Sequence, residues 1–497
     1  VTDLHLSKTL STMADTVQTF LNYIDGAWVP CLLGSTFDNL NPADTRDVVG
    51  RFQASGPADA EAAVQAAQKA FDGWRKLPIG KRAKILNDAA SYLEQNVEQF
   101  AQELTREEGK QLSQARDEFL RSAQTFRFYA TEGQTLGGET YPQDDANLHV
   151  FSHREPLGVV TVISPWNFPA SIPARKLAPA LITGNTVVFK PSSDAPLSGL
   201  RLVEALEKAG VPAGVVNCVT GRAGEVGPVI TNSQAIRAIS FTGSTTAGTQ
   251  IHRTVHLSTR LQMELGGKNP LIVMEDADLN LAVDLAIKGG FSLTGQACTG
   301  TSRILVVPSV KAAFTDKLLT RVAQLKIGNG MAPGMDLGPL ATEKQLQTVQ
   351  RYIDIGKSEA RWLCGGERLT GGEFDHGYYL SPAVFTDVKN SMRIAQEEIF
   401  GPVLAIIEVA DFDDALRQAN DSQYGLSASI VTMNPRYMHV FTNEIQAGTV
   451  KINRTTTGNL VNAPFGGLKN SSTSTFRESG RAGLEFFTQI KTVYRGI

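Results

Sequence analysis

The stretch GVVTVISPWNFPASIPARKLAPALITGNTVVFKP, residues 158–191, carries two patterns in alternation. GVVTVI is a short run rich in β-branched residues, closed by the stiff turn SPWNFP. NTVVFKP repeats the strand-then-proline pattern further on, with a helical segment through Ala178–Leu181 between the two. Strand, helix and strand in this order form the unit of a parallel sheet. The alternation continues outward. SGLRLVEALEKAG reads as a helix with Ser198 at its start and Gly210 just past its end, and VVNCVTG and AIRAISFTG read as two more strands. A second series begins near Leu271 with PLIVM, NLAVDLAIKGGF, RILVV and VKAAFTDKLLTRVAQL. The expected class is α/β, with two doubly wound domains in tandem. Residues 62–130 are strongly helical in composition and are expected to pack on the first sheet. ANLHVFSHREP (146–156) and the terminal FFTQIKTVYRGI read as extended strands without a local partner. An unpaired strand edge is usually covered or paired, and a second subunit would meet that need.

The whole chain sets bounds on function. At 497 residues it exceeds one ordinary core. A net charge of −3 and the absence of a basic stripe argue against nucleic acid as a partner. No apolar run of about 18 residues is present, so no membrane span is expected. The N-terminus lacks the pattern of a secretory signal. The first Met is Met13, and residues 1–12 read as an alternative start or as added residues. Cysteines stand at 31, 218, 298 and 364, sparse and unpatterned, which suggests a reducing compartment, the cytoplasm by default.

Ligands of open α/β sheets sit at the carboxyl ends of strands, so the loops after strands are the places to look for chemistry. SPWNFP holds Asn167 between two prolines, as an oxyanion donor or as a turn-capping Asn. KPSSDAP starts with Lys190 leaving a strand. TGSTTAG carries Gly243 and Gly248 at a G-x-x-x-x-G spacing. It lacks the P-loop lysine and is not the G-x-G-x-x-G fingerprint, so it reads as either a phosphate cradle or a tight turn. ELGGKNP puts Glu264 before two glycines, a candidate base or a solvated carboxylate. QEEIFGPV (396–403) sets two carboxylates before an aromatic residue. In GFSLTGQACTGTSRILVV (290–307), Cys298 lies among small residues between a helix and a strand. It is either a small buried hydrophobe or a nucleophile that needs room. His252 and His256, spaced i, i+4 on an expected helix, have no HExxH or companion ligands, and no metal is expected.

SPWNFP, FKPS, FTGSTTAG, MELGGKNP, GQAC, QEEIFGPV and PFGGLKNSS occur together in the order and at the spacings of the aldehyde dehydrogenase superfamily. The chain resembles that family from about Asn22 to Tyr494 and, within it, the α-ketoglutaric semialdehyde and succinic semialdehyde dehydrogenase branches, with GQACTGTSR most similar to the first. The resemblance implies a cofactor domain over 13–130 and 152–260, a catalytic domain over 261–465, and a small β-rich oligomerisation element over 131–151 and 475–497. It implies a homodimer or homotetramer. It assigns Cys298 as nucleophile, Asn167 with the Cys298 N–H as oxyanion hole, and Glu264 as the group that activates water. NAD or NADP is the implied cofactor, Glu398 and Phe400 hold its nicotinamide riboside, Lys190 approaches its adenosine ribose, and Gly243, Ser244 and Gly248 line its pyrophosphate. Ile163, Pro165, Trp166, Ser193, Gly227 and Leu265 complete the implied cofactor site.

The implied reaction is oxidation of a small aldehyde to its acid through a thiohemiacetal and a thioester on Cys298, with release by hydrolysis. One tension is that Cys298 follows a helix C-terminus, whose dipole disfavours a thiolate. Ser193 stands where strongly NAD-selective relatives usually carry Glu, so NADP+ is expected to be accepted and even preferred. Arg175, two helical turns beyond Asn167, is the expected anchor for the distal carboxylate of a semialdehyde, with Arg454 in KINRTTTG a second candidate. The competing readings are a broad aliphatic or aromatic aldehyde dehydrogenase, a cysteine hydrolase or acyltransferase without a redox cofactor, and a non-catalytic binding protein on the same fold.

Overall fold

A computed structural model describes residues 17–473 and 475–496. The expectation for residues 1–12 lies outside the described residues.

The opening stretch folds as strand Val159–Ile163, helix Ser171–Ile182 and strand Thr186–Lys190. These two strands pair in parallel from Val159↔Thr186 to Ile163↔Lys190. Both faces of the sheet are covered, which is why the strands are apolar throughout rather than alternating. Val160 and Val162 join the core with Leu177 and Leu181 of the helix Ser171–Ile182. Val159 faces the other way, onto Ala63 and Val64 of the helix Pro57–Lys76. The chain moves outward through Val216–Cys218, then returns to place Ile236–Thr242 and Arg260–Glu264 on the opposite side of the first strand. Strand order therefore reverses between Val159–Ile163 and Ile236–Thr242, and a crevice opens at their carboxyl ends. The hairpin Asn22–Ile24/Ala27–Val29 extends this sheet antiparallel to Val216–Cys218.

The helix expected to start at Ser198 runs Pro196–Lys208 instead. Proline is well suited to the first helical position, where no N–H is needed. The free N–H groups of Leu197 and Ser198 donate to Glu107 from a distant helix.

The second sheet is mostly parallel, with Asn269–Val273 between Thr301–Val306 and Ser427–Val431, and only Arg361–Cys364 antiparallel at its edge. The two pieces read as partnerless strands are each other's partner. Leu148–Pro156 and Thr488–Gly496 pair antiparallel from Thr488↔Pro156 to Gly496↔Leu148, with Thr140–Tyr141 on the far side. Their separation along the chain hid this pairing. The long free edge of this small sheet is that of Thr488–Gly496, where Ile490 and Tyr494 are exposed, and the short strand Thr140–Tyr141 forms the other edge. Among the described residues no helix is long and apolar enough to cross a membrane.

Candidate active site

The helix before Cys298 closes at Phe291, and a short turn over Ser292–Gly295 follows. Leu293 and Thr294 both sit at φ 54°, a left-handed conformation that costs a side-chain-bearing residue energy and is held by its surroundings. Thr294 Oγ1 donates to Gly338 O at 2.9 Å, and Gln296 Oε1 accepts from Ala341 N at 2.9 Å. The loop carrying the thiol is thus braced from outside. The tension with the helix dipole weakens here, because that field fades within the last turn and the helix ends well before Cys298. Burial is the main influence on the thiol, followed by the Glu398 and Glu264 carboxylates. Together they push it up to about 12, while Arg175 acts in the opposite direction.

Cys298 is also an exception to the strand-end rule. Asn167, Lys190 and Glu264 lie at or just beyond carboxyl ends of the first sheet, whereas Cys298 precedes Thr301–Val306, at the amino edge of the second. The site lies where these two edges meet. Asn167 is buried, and its Nδ2 donates to Gln296 O at 2.9 Å, which leaves a second N–H uncommitted. The Cys298 N–H also donates to no backbone carbonyl or side chain among the described residues. Glu264 is buried at the end of its strand. One carboxylate oxygen accepts from Ser472 Oγ at 3.3 Å, and the other has no partner among the described residues. Burial first, then the charge of Glu478, raises its carboxyl well above the usual range.

Two cavities share Cys298. The first, about 490 Å³, follows the crevice of the first sheet. Ile163, Pro165, Trp166 and Asn167 line it from the first loop, Lys190 and Ser193 from the second, and Gly243 and Ser244 from the third. Leu265, Glu398 and Phe400 complete the wall, and Phe400 meets Trp166 edge-on at 5.4 Å. The lining suits a dinucleotide. Ser244 caps the helix Thr245–Thr254, whose N-terminus faces the cavity and favours an anion. Lys190 Nζ is buried and, among the described residues, donates only to the Pro191 carbonyl at 3.1 Å, and burial pushes it down to about 8. A Cβ at Gly243 would strike the Phe241 ring, and one at Gly266 the Glu398 carboxylate. Glu398 accepts from Gly267 N at 3.0 Å, while its neighbour Glu397 turns away to Arg393 and Tyr352.

Two expected cofactor residues are not brought into this cavity. Gly227 lies inside the helix Ala223–Asn232, and Ala223 at its N-terminus lines the wall instead. Gly248 faces Leu265, where a Cβ would collide, so its glycine serves the packing of helix on strand.

The second cavity, about 410 Å³, holds Cys298, Glu264 and Arg175 with Phe168, Thr242 and Phe465. Arg454 is exposed and lines neither cavity, although Thr455 and Thr457 beside it do line this one. Four charged residues missed in the sequence surround the site. Lys176 is buried and donates to Glu478 and to Ser240 Oγ, each at 2.9 Å. Lys110 donates to Glu118 at 2.6 Å and to Asn167 O at 2.7 Å. A lysine next to Arg175 in the largely apolar helix ARKLAPALI was the available signal for Lys176. The two histidines do not share a helix face, because the helix ends at Thr254 and His256 Nε2 meets Asn232 O at 2.7 Å. Among the described residues no group of three or more His, Cys, Asp or Glu could hold a metal ion.

Residues 28–493 match the aldehyde dehydrogenase family. The chain is 45% identical to the α-ketoglutaric semialdehyde dehydrogenase of Bacillus subtilis, over 96% of this chain and 98% of that one. It is 43% identical to the 2,5-dioxopentanoate dehydrogenase of Saccharolobus solfataricus, over 93% and 97%. Among solved structures, betaine aldehyde dehydrogenase from Staphylococcus aureus in complex with NAD+ superposes with a TM-score of 0.93 at 34% identity, covering 96% of this chain and 94% of that one. A 3,6-anhydro-L-galactose dehydrogenase superposes equally well, with a TM-score of 0.93 at 35% identity, over 96% and 100%.

Proposed function

The chain belongs to the aldehyde dehydrogenase family, an NAD(P)-dependent enzyme that oxidises an aldehyde to its acid, and from that premise we propose that its substrate is a C4–C5 semialdehyde with a distal carboxylate. The observation that carries this is the state of Arg175. It lines the cavity that holds Cys298 and makes no hydrogen bond or ion pair among the described residues, and two acidic residues of the same wall are already paired, Glu118 with Lys110 and Glu478 with Lys176. Arg175 keeps an unspent guanidinium whose fork can bind both oxygens of a carboxylate. The semialdehyde names of the relatives agree with α-ketoglutaric semialdehyde or succinic semialdehyde as the substrate.

The roles of the residues follow from their chemistry. The Cys298 sulfur adds to the aldehyde carbon, and the oxyanion takes hydrogen bonds from Asn167 Nδ2 and the Cys298 N–H. NAD(P)+ in the first cavity supplies a hydride acceptor when bound. Glu264, on the substrate side, takes the proton of the water that attacks the thioester, and the acid leaves as the thiolate is restored. NADP+ is accepted because no carboxylate occupies position 193 and Lys190 contributes positive charge. The first sheet with its helices serves as the cofactor domain and the second as the catalytic domain. The free edge of Thr488–Gly496 supports a homodimer or homotetramer, and four free cysteines support a cytoplasmic setting.

A kinetic panel of semialdehydes, aliphatic aldehydes and aromatic aldehydes tests the substrate. Arg175→Ala should raise KM for the semialdehyde about 10–100-fold, the loss of one charge-assisted contact. An uncharged aldehyde of equal length should be spared in KM. Equal losses on both would make Arg175 a part of the tunnel wall and overturn the assignment.

A further inference from the structure

Behind the oxyanion loop lies a buried ionic cluster that no step above uses. The helix Val97–Glu108 ends at Gly109, at φ +92°, where a Cβ would meet Pro339 and Pro42. That left-handed turn, which glycine adopts without strain, sends Lys110 inward. Its side chain is 1% exposed, and besides the buried Glu108 Oε2 at 3.7 Å its ammonium has three neighbours. It donates to Glu118 Oε2 at 2.6 Å and to the backbone carbonyl of Asn167 at 2.7 Å, and it lies 4.7 Å from the centre of the Phe168 ring. Glu118 is equally buried, and its other oxygen accepts from Ala170 N at 2.9 Å and Ser171 N at 3.1 Å. Those N–H groups open the helix Ser171–Ile182, and its N-cap, Ala170, has no side chain able to cap it.

One ion pair therefore grips the chain on both sides of the turn, at the carbonyl of Asn167 and at the amides of residues 170 and 171. We propose that Lys110 and Glu118 are positioning residues for the oxyanion donor, fixing the Asn167 backbone from behind so that its amide meets the thiohemiacetal oxygen. This rests on the reading of Asn167 given above.

Stability alone is a weak reason for such a pair. A buried ion pair loses in desolvation much of what it gains in attraction, and apolar residues of equal volume often hold a fold as well. What apolar residues cannot supply is a directed bond to a carbonyl and two amides. Direction matters here because the donor must lie within hydrogen-bond reach of the oxyanion, and a misplacement of about 1 Å costs about 100-fold in rate. The Asn167 amide is held from the front by its bond to Gln296 O. Held at only one end, the turn could still place the amide near Cys298 but not fix its angle.

The test is a double-mutant cycle on the acylation step, read as the rate of the NAD(P)H burst in a single turnover. Asn167→Ala should slow the burst about 100–1,000-fold, as loss of an oxyanion donor does. Lys110→Met should slow it about 10–100-fold while KM for NAD(P)+ stays unchanged. In the Asn167→Ala background, Lys110→Met should add less than about threefold, because residues that act through one group are not additive. A burst in Lys110→Met within about twofold of the parent overturns the proposal, and so does an equal fractional loss in both backgrounds, which marks a general structural role. If Asn167→Ala leaves the burst intact, the reading of Asn167 fails first, whatever Lys110 does. Glu118→Gln keeps the volume and removes the charge, and it enters the same cycle with the same criteria if Lys110→Met does not fold.

Discussion

The cavity on the dinucleotide side of Cys298 and the cavity on the aldehyde side are built by different means. The first is made from loops that leave consecutive strand ends, and much of its lining is backbone, glycine and small hydroxyls. The second is made from helix flanks, with Asp117, Glu118, Arg121 and Arg175 on two helices and Lys288 on a third. A dinucleotide presents phosphates and hydroxyls, which backbone amides at a helix N-terminus bind without specialised side chains. An aldehyde is distinguished from another aldehyde only by the rest of its molecule, and side chains on packed helices can change that wall without disturbing the sheet. On the proposed reading, the first cavity answers to the dinucleotide and the flanks of the second answer to the rest of the aldehyde.

The largest effect tests Cys298, which with Ile172 and Thr242 lines both cavities. Cys298→Ala should reduce aldehyde oxidation on the order of 10⁴-fold or more, since no other group can form the thioester. Dinucleotide binding, measured by titration of protein fluorescence or by calorimetry, should remain. Substantial residual oxidation in the purified variant would remove the nucleophile from the junction. Loss of binding would mean that the thiol loop also shapes the first cavity.

Glu264 lies on the substrate side only, so its removal should separate the two cavities in time. In Glu264→Gln hydride transfer should proceed once and deacylation should stall, giving a burst of NAD(P)H followed by a steady rate lowered about 10²–10⁴-fold. Because burial and Glu478 raise this carboxyl well above the usual range, the base is protonated and idle at low pH. The deacylation rate should therefore climb with pH on a limb well above the normal carboxylate region, and Glu264→Gln should lose that limb. Turnover that requires coenzyme A in the parent enzyme would show that water is not the acceptor.

The difference between the cavities also explains how far the sequence could be read. Trp166, Asn167, Lys190, Ser193 and Gly243 were legible because each follows an apolar strand, and the strands announce themselves as short β-branched runs. Gly248 misled because its spacing from Gly243 suits a phosphate cradle and equally suits close packing on Leu265, and only the fold separates these. Lys110, Glu118 and Glu478 left no local signal. A charge in a helical pattern reads as a solvated face; Lys110 and Glu118 are only 8 positions apart, but the backbone they hold lies 57 and 52 positions away, and Glu478 meets Lys176 across 302. The same holds for the strands Leu148–Pro156 and Thr488–Gly496, each of which looked incomplete because its partner lies in the other half of the chain.

The smallest expected effect concerns the choice between NADP+ and NAD+, decided within the first cavity at the end of Thr186–Lys190. Ser193 offers no charge, and its hydroxyl is already committed, donating to Gly221 O at 2.6 Å. A 2′-phosphate therefore meets Lys190 without a carboxylate at position 193. Asp194 is the countervailing group, lining the same wall with its charge felt by Lys190 and Lys344. Ser193→Glu should move the ratio of kcat/KM values toward NAD+ about 10–100-fold, equivalent to about 1.4–2.8 kcal/mol of like-charge repulsion. Asp194→Asn should move it the other way by a smaller factor. The pH dependence has a definite sign. Burial holds the Lys190 ammonium down to about 8, so the free enzyme loses that charge as pH rises through 8, and kcat/KM for NADP+ should fall there more steeply than for NAD+. A parent enzyme that prefers NAD+ by more than about a thousandfold, about 4 kcal/mol, would mean that Asp194 does the work of the missing glutamate. The selectivity would then lie one residue further along the loop than Ser193, and Asp194→Asn would become the substitution that opens the site to NADP+.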